Sequence, residues 1–285
     1  MTFEPEFERQ LKNFIENALL EDAPLGDRTS LACIPADARC TANLLVKDAG
    51  ILAGVEVARR IFQNVDPSAE FQVIIEDGTH VSFGDVAFQV VSNTQALLRA
   101  ERVALNIMQR MSGIATLAHE FVFEVEDLPV KILDTRKTTP LLRFLEKYAV
   151  RLGGCYNYRE NLSDWFMIKD NHIKACGGVG KAIDRVAEYQ KAQGLNLGVT
   201  VEVKNLVELH EVLETGQVTR IMFDNFELPL LAEAVATVNQ RFETEASGGV
   251  NIHSVRRIAL SGVDYISVGA LTHSATSLDL SLKIK

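Results

Sequence analysis

The stretch VTVEVKNLVELHEVLETGQVTRIMFDN, residues 199–225, contains two short apolar runs separated by a sequence that is compatible with a helix. Strands of a parallel sheet are buried on both faces, so they are nearly all apolar. The runs VTVEV and RIMFD fit this description except for a few polar residues. Strand, helix and strand in succession form the repeating unit of a parallel α/β sheet. This stretch therefore predicts an α/β fold.

The same succession repeats on both sides of this stretch. Four more runs of this kind are VKILD (130–134), WFMIK (165–169), FETEAS (242–247) and YISVG (265–269), each followed by a helix-compatible segment or a polar turn. The six units occupy about 140 residues, which is short for a complete eight-fold barrel of about 250 residues. We therefore predict an incomplete, or reduced, parallel α/β barrel.

The residues before this array have a different pattern. An amphipathic helix opens the chain and stops near Pro24, and the polar segment DAPLGDRTS is predicted to be a loop. The remaining pattern predicts strands at 41–46, 71–76 and 85–91 and helices at 55–62 and 95–121. We predict a small mixed α/β unit, to whose sheet the alternating tail TSLDLSLKIK returns as one more strand.

Composition argues against several classes of protein. The 285 residues carry a formal net charge of −9, whereas nucleic-acid binding needs a basic face. The N-terminus MTFEPEFERQ lacks the basic start and apolar region of a secretion signal, and no run of 18 apolar residues predicts a membrane span. The four cysteines lack metal-ligand spacing and are typical of reduced thiols. We predict a cytoplasmic protein that binds neither nucleic acid nor membrane and has no zinc site.

One segment is basic within this acidic chain. Residues 131–174 contain nine lysines and arginines against five aspartates and glutamates. The motif DTRKTTP brings Arg136 and Lys137 between a strand and a helix, where side chains and helix N-terminal amides can bind anions together. Arg159 and Lys169 follow, although Arg159 alone could equally form a surface ion pair. Arginine matches carboxylates and lysine suits phosphate oxygens, so the mixture predicts a ligand with both kinds of anion.

Two carboxylates interrupt apolar runs. Glu202 and Asp224 lie where a buried strand would otherwise prefer Val or Ile, so each needs a partner. One interpretation is that they neutralise a neighbouring lysine, such as Lys137 or Lys169. The other is that they hold sugar hydroxyls, or face a developing positive charge or a metal ion. The carboxyl ends of barrel strands meet at one rim, where barrel enzymes have their active sites, and we therefore favour the second interpretation.

Glycine-rich turns follow the last two strands. Ser247, Gly248 and Gly249 precede a predicted helix, and Gly269 follows the next strand. Late loops and a helix N-terminus form the usual phosphate pocket of barrel enzymes, so these turns predict phosphate binding.

The histidines do not single out a catalytic group. His80, His119 and His210 have no partner that the sequence can assign. His172 and His273 lie near the predicted rim, where structural and catalytic roles both stay open. A Ser/His/Asp arrangement, a P-loop and a dinucleotide-binding fingerprint are not convincing here, so hydrolase, kinase and dehydrogenase activities are not predicted.

Nearly the whole chain resembles the quinolinate phosphoribosyltransferases, also called carboxylating nicotinate-nucleotide pyrophosphorylases. The shared motifs, in order, are EDAPLGDRTS, AERVALNIMQRMSGIAT, DTRKTTP, KYAVRLGG, IKDNHI, VEVKN, FDNF, SGGVN and DYISVGALTHS. The resemblance implies a pentosyltransferase of NAD biosynthesis. Such an enzyme transfers phosphoribosyl from 5-phosphoribosyl 1-pyrophosphate to quinolinate with decarboxylation, and releases nicotinate mononucleotide, CO2 and diphosphate.

The resemblance also implies a domain organisation and an assembly. We expect an N-terminal α/β sandwich over residues 1–112, joined by the tail 271–285, and a catalytic barrel over residues 113–270. We expect a homodimer, or a higher homo-oligomer, in which Arg102 completes the active site of the neighbouring subunit.

The resemblance assigns roles to individual residues. Lys137, Lys169, Glu202 and Asp224 are the expected catalytic residues. The expected substrate-binding residues are Arg102, Thr135, Arg136, Tyr158, Arg159, Ser247, Gly248, Gly249, Val268, Gly269 and Ala270. The cations would surround the two carboxylates of quinolinate and the diphosphate, the two acids would hold the ribose, and the glycine turns would bind the 5′-phosphate. Mg²⁺ is the expected cofactor, bound to the diphosphate without a direct protein ligand.

This sequence departs from the family pattern at three positions. Tyr158 stands where the family generally has His, Cys155 replaces a Gly, and Leu141 replaces another Gly. A phenol can donate a hydrogen bond but cannot supply the charge of an imidazolium. Two alternatives to the main prediction are a paralogue with a different acceptor, such as the homologue associated with molybdenum transport, and a non-catalytic anion-binding protein. The retained Glu202 and Asp224 favour catalysis, because an anion sensor has no use for carboxylates there.

Overall fold

The computed structural model of the chain describes residues 3–285, which form two compact units. The first unit contains the described residues up to His119, together with Thr139–Gly154 and Ser274–Lys285. The second unit contains Glu120–Thr138 and Cys155–His273. The domain boundaries expected after residues 112 and 270 stay predictions.

The first unit combines helices with antiparallel strands. Its helices are α1 (Pro5–Asp22), α2 (Arg28–Cys33), α3 (Val55–Val65), most of α4 (Thr94–Phe123) and α5 (Arg143–Leu152). Its strands are β1 (Arg39–Val46), β2 (Gly50–Ile51), β3 (Glu70–Val73), β4 (His80–Val81), β5 (Val86–Asn93) and β12 (Leu280–Ile284). The main sheet has the order β12-β1-β5-β3, and β2 pairs with β4.

The last strand of this sheet comes from the end of the chain. β12 pairs antiparallel with β1, with Ala42 opposite Ile284 and Val46 opposite Leu280. Successive side chains of a strand point to opposite faces of the sheet. Leu280 and Leu282, two residues apart, are both buried, so the alternating tail contributes its leucines to the buried face of this sheet.

The segment DAPLGDRTS is only partly a loop. Helix α2 begins within it at Arg28, because the carboxylate of Asp27 accepts hydrogen bonds from the backbone N–H groups of Thr29 and Ser30, at 3.0 and 3.2 Å. The loop prediction was therefore wrong for its last residues. A six-residue helix is too short to show an apolar period, and its N-terminal cap decides where it starts.

The second unit is a parallel α/β array. Its strands are β6 (Lys131–Leu133), β7 (Phe166–Ile168), β8 (Val199–Val203), β9 (Arg220–Asp224), β10 (Glu243–Ser247) and β11 (Tyr265–Ser267). Its helices are α6 (Asp170–Cys176), α7 (Val179–Gln193), α8 (Leu206–Thr215), α9 (Leu228–Val238), α10 (Ile252–Ala259) and α11 (Ala270–His273).

All six strands lie in one parallel sheet of order β6-β11-β10-β9-β8-β7. Strands β6 and β7 are the two edges, and no ladder joins them within residues 3–285. The predicted α/β class is confirmed, and the six-stranded sheet is not closed, as expected for an incomplete barrel.

The register of the strands aligns the polar residues of the rim. Asp224, the last residue of β9, is opposite Ser247, the last residue of β10. Glu202 in β8 is opposite Met222 in β9. Because all six strands run in the same direction, their carboxyl ends lie along one edge of the sheet. Side chains from distant parts of the sequence are therefore brought together there.

Candidate active site

A cavity of about 680 Å³ lies at the carboxyl ends of the parallel strands. Nearly every residue that the sequence predicted for the site lines this cavity. These residues are Thr135, Arg136, Lys137, Tyr158, Arg159, Lys169, Glu202, Asp224, Ser247, Gly248, Gly249, Gly269 and Ala270. The structure thus brings together side chains that are up to 135 positions apart in the sequence.

Two predicted residues do not line this cavity. Val268 is fully buried, and its N–H donates to the carbonyl oxygen of Leu133 at 2.9 Å. Arg102 belongs to the first unit, where it is exposed on α4 and lines a smaller cavity of about 210 Å³ with Glu21 and Asp22.

Lys169 and Glu202 form an ion pair across neighbouring strands of the sheet. The Nζ atom of Lys169 lies 2.7 Å from Oε2 of Glu202, whose side chain is buried at one wall of the cavity. The sequence left open whether Glu202 neutralises a lysine or serves a ligand. Its contact with Lys169 corresponds to the first interpretation, and both side chains line the cavity.

The two arginines of the cavity have few partners. The Nε atom of Arg136 is one of two buried side-chain nitrogen atoms without a hydrogen bond in the described part of the chain. Arg159 is half-buried and donates one long hydrogen bond of 3.4 Å to the carbonyl oxygen of Trp165. Burial, followed by the charge of Arg136, lowers the pKa of Arg159. An anion between these two guanidinium groups would relieve their repulsion.

The DTRKTTP motif holds Lys137 through its backbone. The N–H of Lys137 donates to Oγ1 of Thr135 at 3.1 Å, and its carbonyl oxygen accepts from Oγ1 of Thr272 at 2.8 Å. The side chain itself is exposed. The loop is therefore fixed while the ammonium group stays available to a ligand.

Gly248 is required for two reasons. Its φ is +98°, in the left-handed region that favours glycine. A Cβ atom at this position would also lie 2.3 Å from Oδ1 of Asn225, whose side-chain amide donates to Asp224 at 2.9 Å. The turn after β10 thus packs directly against the carboxyl end of β9, and any larger residue would displace Asn225.

The contacts of four of the six histidines indicate their surroundings. The Nδ1 atom of His172 accepts from the N–H of Lys169 at 2.9 Å and so caps α6, which is a structural role. His273 lines the cavity beside Gly269. His80 and His119, to which the sequence assigned no partner, contact each other with 3.1 Å between their Nε2 atoms. The separation of 39 positions hides this pair from sequence reasoning.

Sequence reasoning missed four residues that line the cavity. They are Met167, Met222, Val250 and Ser267. Three of them lie two positions before a predicted site residue, namely Lys169, Asp224 and Gly269. Alternate residues of a strand share a face, so a period of two counted backwards from each strand end would have found them.

Sequence reasoning also missed a buried polar network beneath the cavity. Arg220 in β9 forms ion pairs with Glu243 at 2.9 Å and with Glu245 at 3.1 Å, and it stacks 3.7 Å from the ring centre of Tyr265. Burial raises the pKa of Glu245, while Arg220 and Ser267 oppose that shift. The signal was present in ETEAS, whose two glutamates stand two residues apart within a strand.

Residues 3–285 contain no group of three or more His, Cys, Asp or Glu side chains arranged to hold a metal ion. Within the same residues, no helix is long and apolar enough to cross a membrane.

Comparisons with known proteins agree with the resemblance seen in the sequence. The model of the quinolinate phosphoribosyl transferase N-terminal domain matches residues 27–112, and that of the C-terminal domain matches residues 114–283. The chain is 47% identical to decarboxylating quinolinate phosphoribosyltransferase 1b of Nicotiana tabacum, over 96% of this chain and 82% of the relative. It is 40% identical to a probable carboxylating nicotinate-nucleotide pyrophosphorylase of Bacillus subtilis, over 96% of this chain and 93% of the relative.

A solved structure gives the same result for the fold. The crystal structure of NadC from Streptococcus pyogenes is similar to this chain with a TM-score of 0.92 and 38% identity. The match covers 100% of this chain and 99% of that one. The chain belongs to the quinolinate phosphoribosyltransferase family.

Proposed function

We propose that this protein transfers the phosphoribosyl group of 5-phosphoribosyl 1-pyrophosphate to quinolinate, and that the product loses CO2 to give nicotinate mononucleotide in NAD biosynthesis. The observation that carries the proposal is the cavity at the strand ends, in which four cations and two carboxylates surround one space. This charge pattern suits a ligand pair with carboxylates, phosphates and a sugar. The names of the relatives, which are quinolinate phosphoribosyltransferases, support the same reaction.

In this proposal the arginines bind the acceptor. Quinolinate carries two neighbouring carboxylates on a pyridine ring, and guanidinium groups bind carboxylates through two parallel hydrogen bonds. Arg136 and Arg159 face the cavity, and the pKa of Arg159 is lowered by burial and by Arg136. A dianion between them supplies the missing partners. Thr135 and the ring of Tyr158 form the adjoining wall.

The transfer step forms one bond and breaks another. The pyridine nitrogen bonds to C1 of the ribose as the bond between C1 and the diphosphate oxygen breaks, and the electron pair of that bond leaves with diphosphate. Positive charge develops on the sugar, and Asp224 and Glu202 offset it. Lys137 and Lys169 stabilise the departing diphosphate.

The glycine turns hold the other end of the donor. The backbone of Ser247 to Gly249 and of Gly269 and Ala270 binds the 5′-phosphate, since close approach of an anion requires residues without bulky side chains. The N–H of Val268 is already bonded to Leu133, so Val268 only supports this turn. Asn251 caps the start of α10 directly after the first turn. The 5′-phosphate would thus anchor the ribose while C1 reacts.

Decarboxylation then follows from the new charge on the ring. The bond between C2 and its carboxylate breaks, CO2 leaves, and the electron pair stays on C2 beside the cationic nitrogen. A proton from solvent water then bonds to C2, and the buffer neutralises the hydroxide that remains. The protein contributes orientation to this step, because the pyridinium itself stabilises the carbanion.

The donor atoms fit the expected Mg²⁺. This ion prefers oxygen ligands and is usually bound by one or two carboxylates together with substrate phosphates. Asp224 is half-buried at the rim, and Glu202 is engaged by Lys169, so their carboxylate oxygens line the cavity without forming a closed metal site. When bound, Mg²⁺ would neutralise charge on the diphosphate. We expect chelation by EDTA to abolish turnover and added Mg²⁺ to restore it.

Assembly and location are further parts of the proposal. Arg102 is exposed on α4, so a second copy of the chain could receive it as the missing cation of its own site. This requires a homodimer or a larger homo-oligomer. A reducing compartment such as the cytoplasm is supported by the four cysteines, which form no disulfide within residues 3–285.

The test compares acceptors that differ by one carboxylate. Initial rates are measured with 5-phosphoribosyl 1-pyrophosphate, Mg²⁺ and either quinolinate or nicotinate, which lacks the 2-carboxylate. We expect product only from quinolinate, because two arginines recognise two carboxylates. Turnover of nicotinate alone, or of neither acceptor, would refute the proposed reaction and would favour a different acceptor or a non-catalytic protein.

A further inference from the structure

The hydroxyl group of Tyr158 is bound inside the protein. Its oxygen lies 2.6 Å from Oγ1 of Thr200, which in turn accepts a hydrogen bond of 2.9 Å from Nε1 of Trp165. Burial, followed by the negative charge of Glu245, raises the pKa of Tyr158. Both Thr200 and Glu245 are completely buried. The hydroxyl therefore points away from the cavity, although the residue lines it.

The bond between Tyr158 and Thr200 engages both hydroxyl groups. An indole N–H can only donate, so Thr200 accepts from Trp165, and either hydroxyl of the pair can be the donor to the other. The buried carboxylate of Glu245 accepts from Arg220 at 3.1 Å and from Ser267. The hydroxyl of Tyr158 is thus already engaged by the protein interior.

The backbone and the ring of Tyr158 are also held in place. Its backbone N–H donates to Oδ1 of Asp134 at 2.8 Å, and Asp134 is completely buried. Its ring packs edge to face against Trp165, with 6.1 Å between ring centres. The carbonyl oxygen of that same Trp165 accepts the hydrogen bond from Arg159. Tyr158 therefore supports the residue that orients Arg159.

We propose that Tyr158 is a positioning residue of the acceptor site, whose ring forms an uncharged wall and holds Arg159 through Trp165, while its hydroxyl never contacts the acceptor. Recognition of the acceptor's charge then falls to Arg136 and Arg159. The inference rests on the proposed function. It differs from that function in making a specific claim about which atoms of Tyr158 matter.

The test is a series of substitutions that separates the ring from the hydroxyl. The variants Tyr158→Phe, Tyr158→Leu and Tyr158→Ala are assayed in the full-length protein with quinolinate, 5-phosphoribosyl 1-pyrophosphate and Mg²⁺. Tyr158→Phe keeps the ring, so we expect the KM for quinolinate to stay within about threefold of the wild-type value. Its melting temperature should fall, because Thr200 loses a buried hydrogen bond.

Removal of the ring should raise the KM for quinolinate and leave the KM for 5-phosphoribosyl 1-pyrophosphate nearly unchanged. For Tyr158→Ala we expect the KM for quinolinate to rise at least about tenfold while the KM for 5-phosphoribosyl 1-pyrophosphate stays within about threefold. Tyr158→Leu keeps part of the side-chain volume, so its KM for quinolinate should lie between those of the wild type and Tyr158→Ala. This variant serves as the test if Tyr158→Ala does not fold. The matched control is Tyr156→Ala, because Tyr156 is an exposed neighbour outside the main cavity and should leave both values unchanged.

Two results would overturn the inference. A tenfold rise in KM for Tyr158→Phe would mean that the hydroxyl binds the acceptor. An unchanged KM for both Tyr158→Ala and Tyr158→Leu would mean that the ring positions nothing. Failure of the proposed function looks different, since the wild-type protein itself would then form no product. In that case calorimetric titration of quinolinate into the same variants gives the dissociation constants without turnover, with the same expected ratios.

Discussion

At the scale of single residues, the lysines of the rim carry the clearest consequence. Lys137 and Lys169 face the cavity, and neither is needed for the packing of the core. We expect Lys137→Ala or Lys169→Ala to lower kcat/KM by about 100-fold or more, as loss of one charge-stabilising donor commonly does. The melting temperature should change little for Lys137→Ala. It should fall modestly for Lys169→Ala, because Glu202 loses its ion-pair partner.

The measurement is the initial rate of nicotinate mononucleotide formation, with circular dichroism to follow folding. Lys204→Ala is the matched control, because Lys204 is also a rim lysine but pairs with Asp170 at 2.9 Å outside the cavity. It should retain normal turnover. Near-normal turnover of either cavity variant would remove that lysine from the mechanism.

Leu141 gives a second prediction at this scale. It has a φ of +67°, and its side chain is 93% exposed, so it gains nothing from burial and adopts a left-handed conformation that suits glycine. A non-glycine residue in this region costs about 1–2 kcal/mol, and the added flexibility of glycine offsets about half of that. We expect Leu141→Gly to raise the free energy of unfolding by about 0.5–1 kcal/mol. Urea denaturation measures it, and a lower midpoint for the variant would contradict the strain argument.

At the scale of elements, the strands of the parallel sheet were easier to predict than helix α2 or the polar network within the sheet. Each of the six runs from VKILD to YISVG contains one strand of the parallel sheet, because a strand buried on both faces has a visible apolar sequence. Helix α2 was missed, because a six-residue helix shows no apolar period and its start is set by the capping hydrogen bonds of Asp27. The network of Arg220, Glu243 and Glu245 was missed because polar residues inside an apolar run were considered only at its end.

Asp77 gives a prediction about helix α3. Its carboxylate accepts the N–H of Val55 at the start of that helix at 2.8 Å, and burial raises the pKa of Asp77 to about 6. The folded protein thus binds this proton more tightly than the unfolded chain, where the pKa is about 4. The resulting stabilisation is fully present below pH 4 and is lost as the pH rises through 6.

The substitution Asp77→Asn removes this titration while keeping an oxygen that can accept from Val55. Relative to the wild-type protein, we expect the variant to gain about 2 kcal/mol in free energy of unfolding between pH 4.5 and pH 7.5. Urea denaturation across this pH range, with both proteins in the same buffers, gives the difference. A difference that is constant with pH, or that changes in the opposite direction, would contradict the raised pKa.

At the scale of the whole molecule, the sequence pattern predicts which residues meet in the cavity, but it does not predict how subunits assemble. Lys169, Asp224 and Ser247 meet because parallel strands end at one edge, which is a rule of topology. Arg102 follows no such rule. It lies on α4 in the first unit, and only the resemblance to a family suggested a role for it.

A mixing experiment tests the role of Arg102. Arg102→Ala and Lys169→Ala should each be inactive alone. If Arg102 completes the site of a second subunit, mixed dimers of the two variants contain one intact site, and subunit exchange should restore up to about a quarter of wild-type activity. Mixing Lys137→Ala with Lys169→Ala is the control. Both lysines line the cavity of their own subunit, so each cavity of the mixed dimer carries one of the two substitutions and stays inactive. A mixture of the Arg102 and Lys169 variants without recovered activity would mean that sites are not shared.

The stoichiometry of the products tests directly whether one cavity at the strand ends joins quinolinate to phosphoribosyl and then releases its 2-carboxylate. Purified protein is incubated with both substrates and Mg²⁺, and nicotinate mononucleotide, diphosphate and CO2 are quantified from the same reaction. We predict equal amounts of all three, each dependent on both substrates. A mononucleotide formed without CO2, or the absence of product, would contradict the claim.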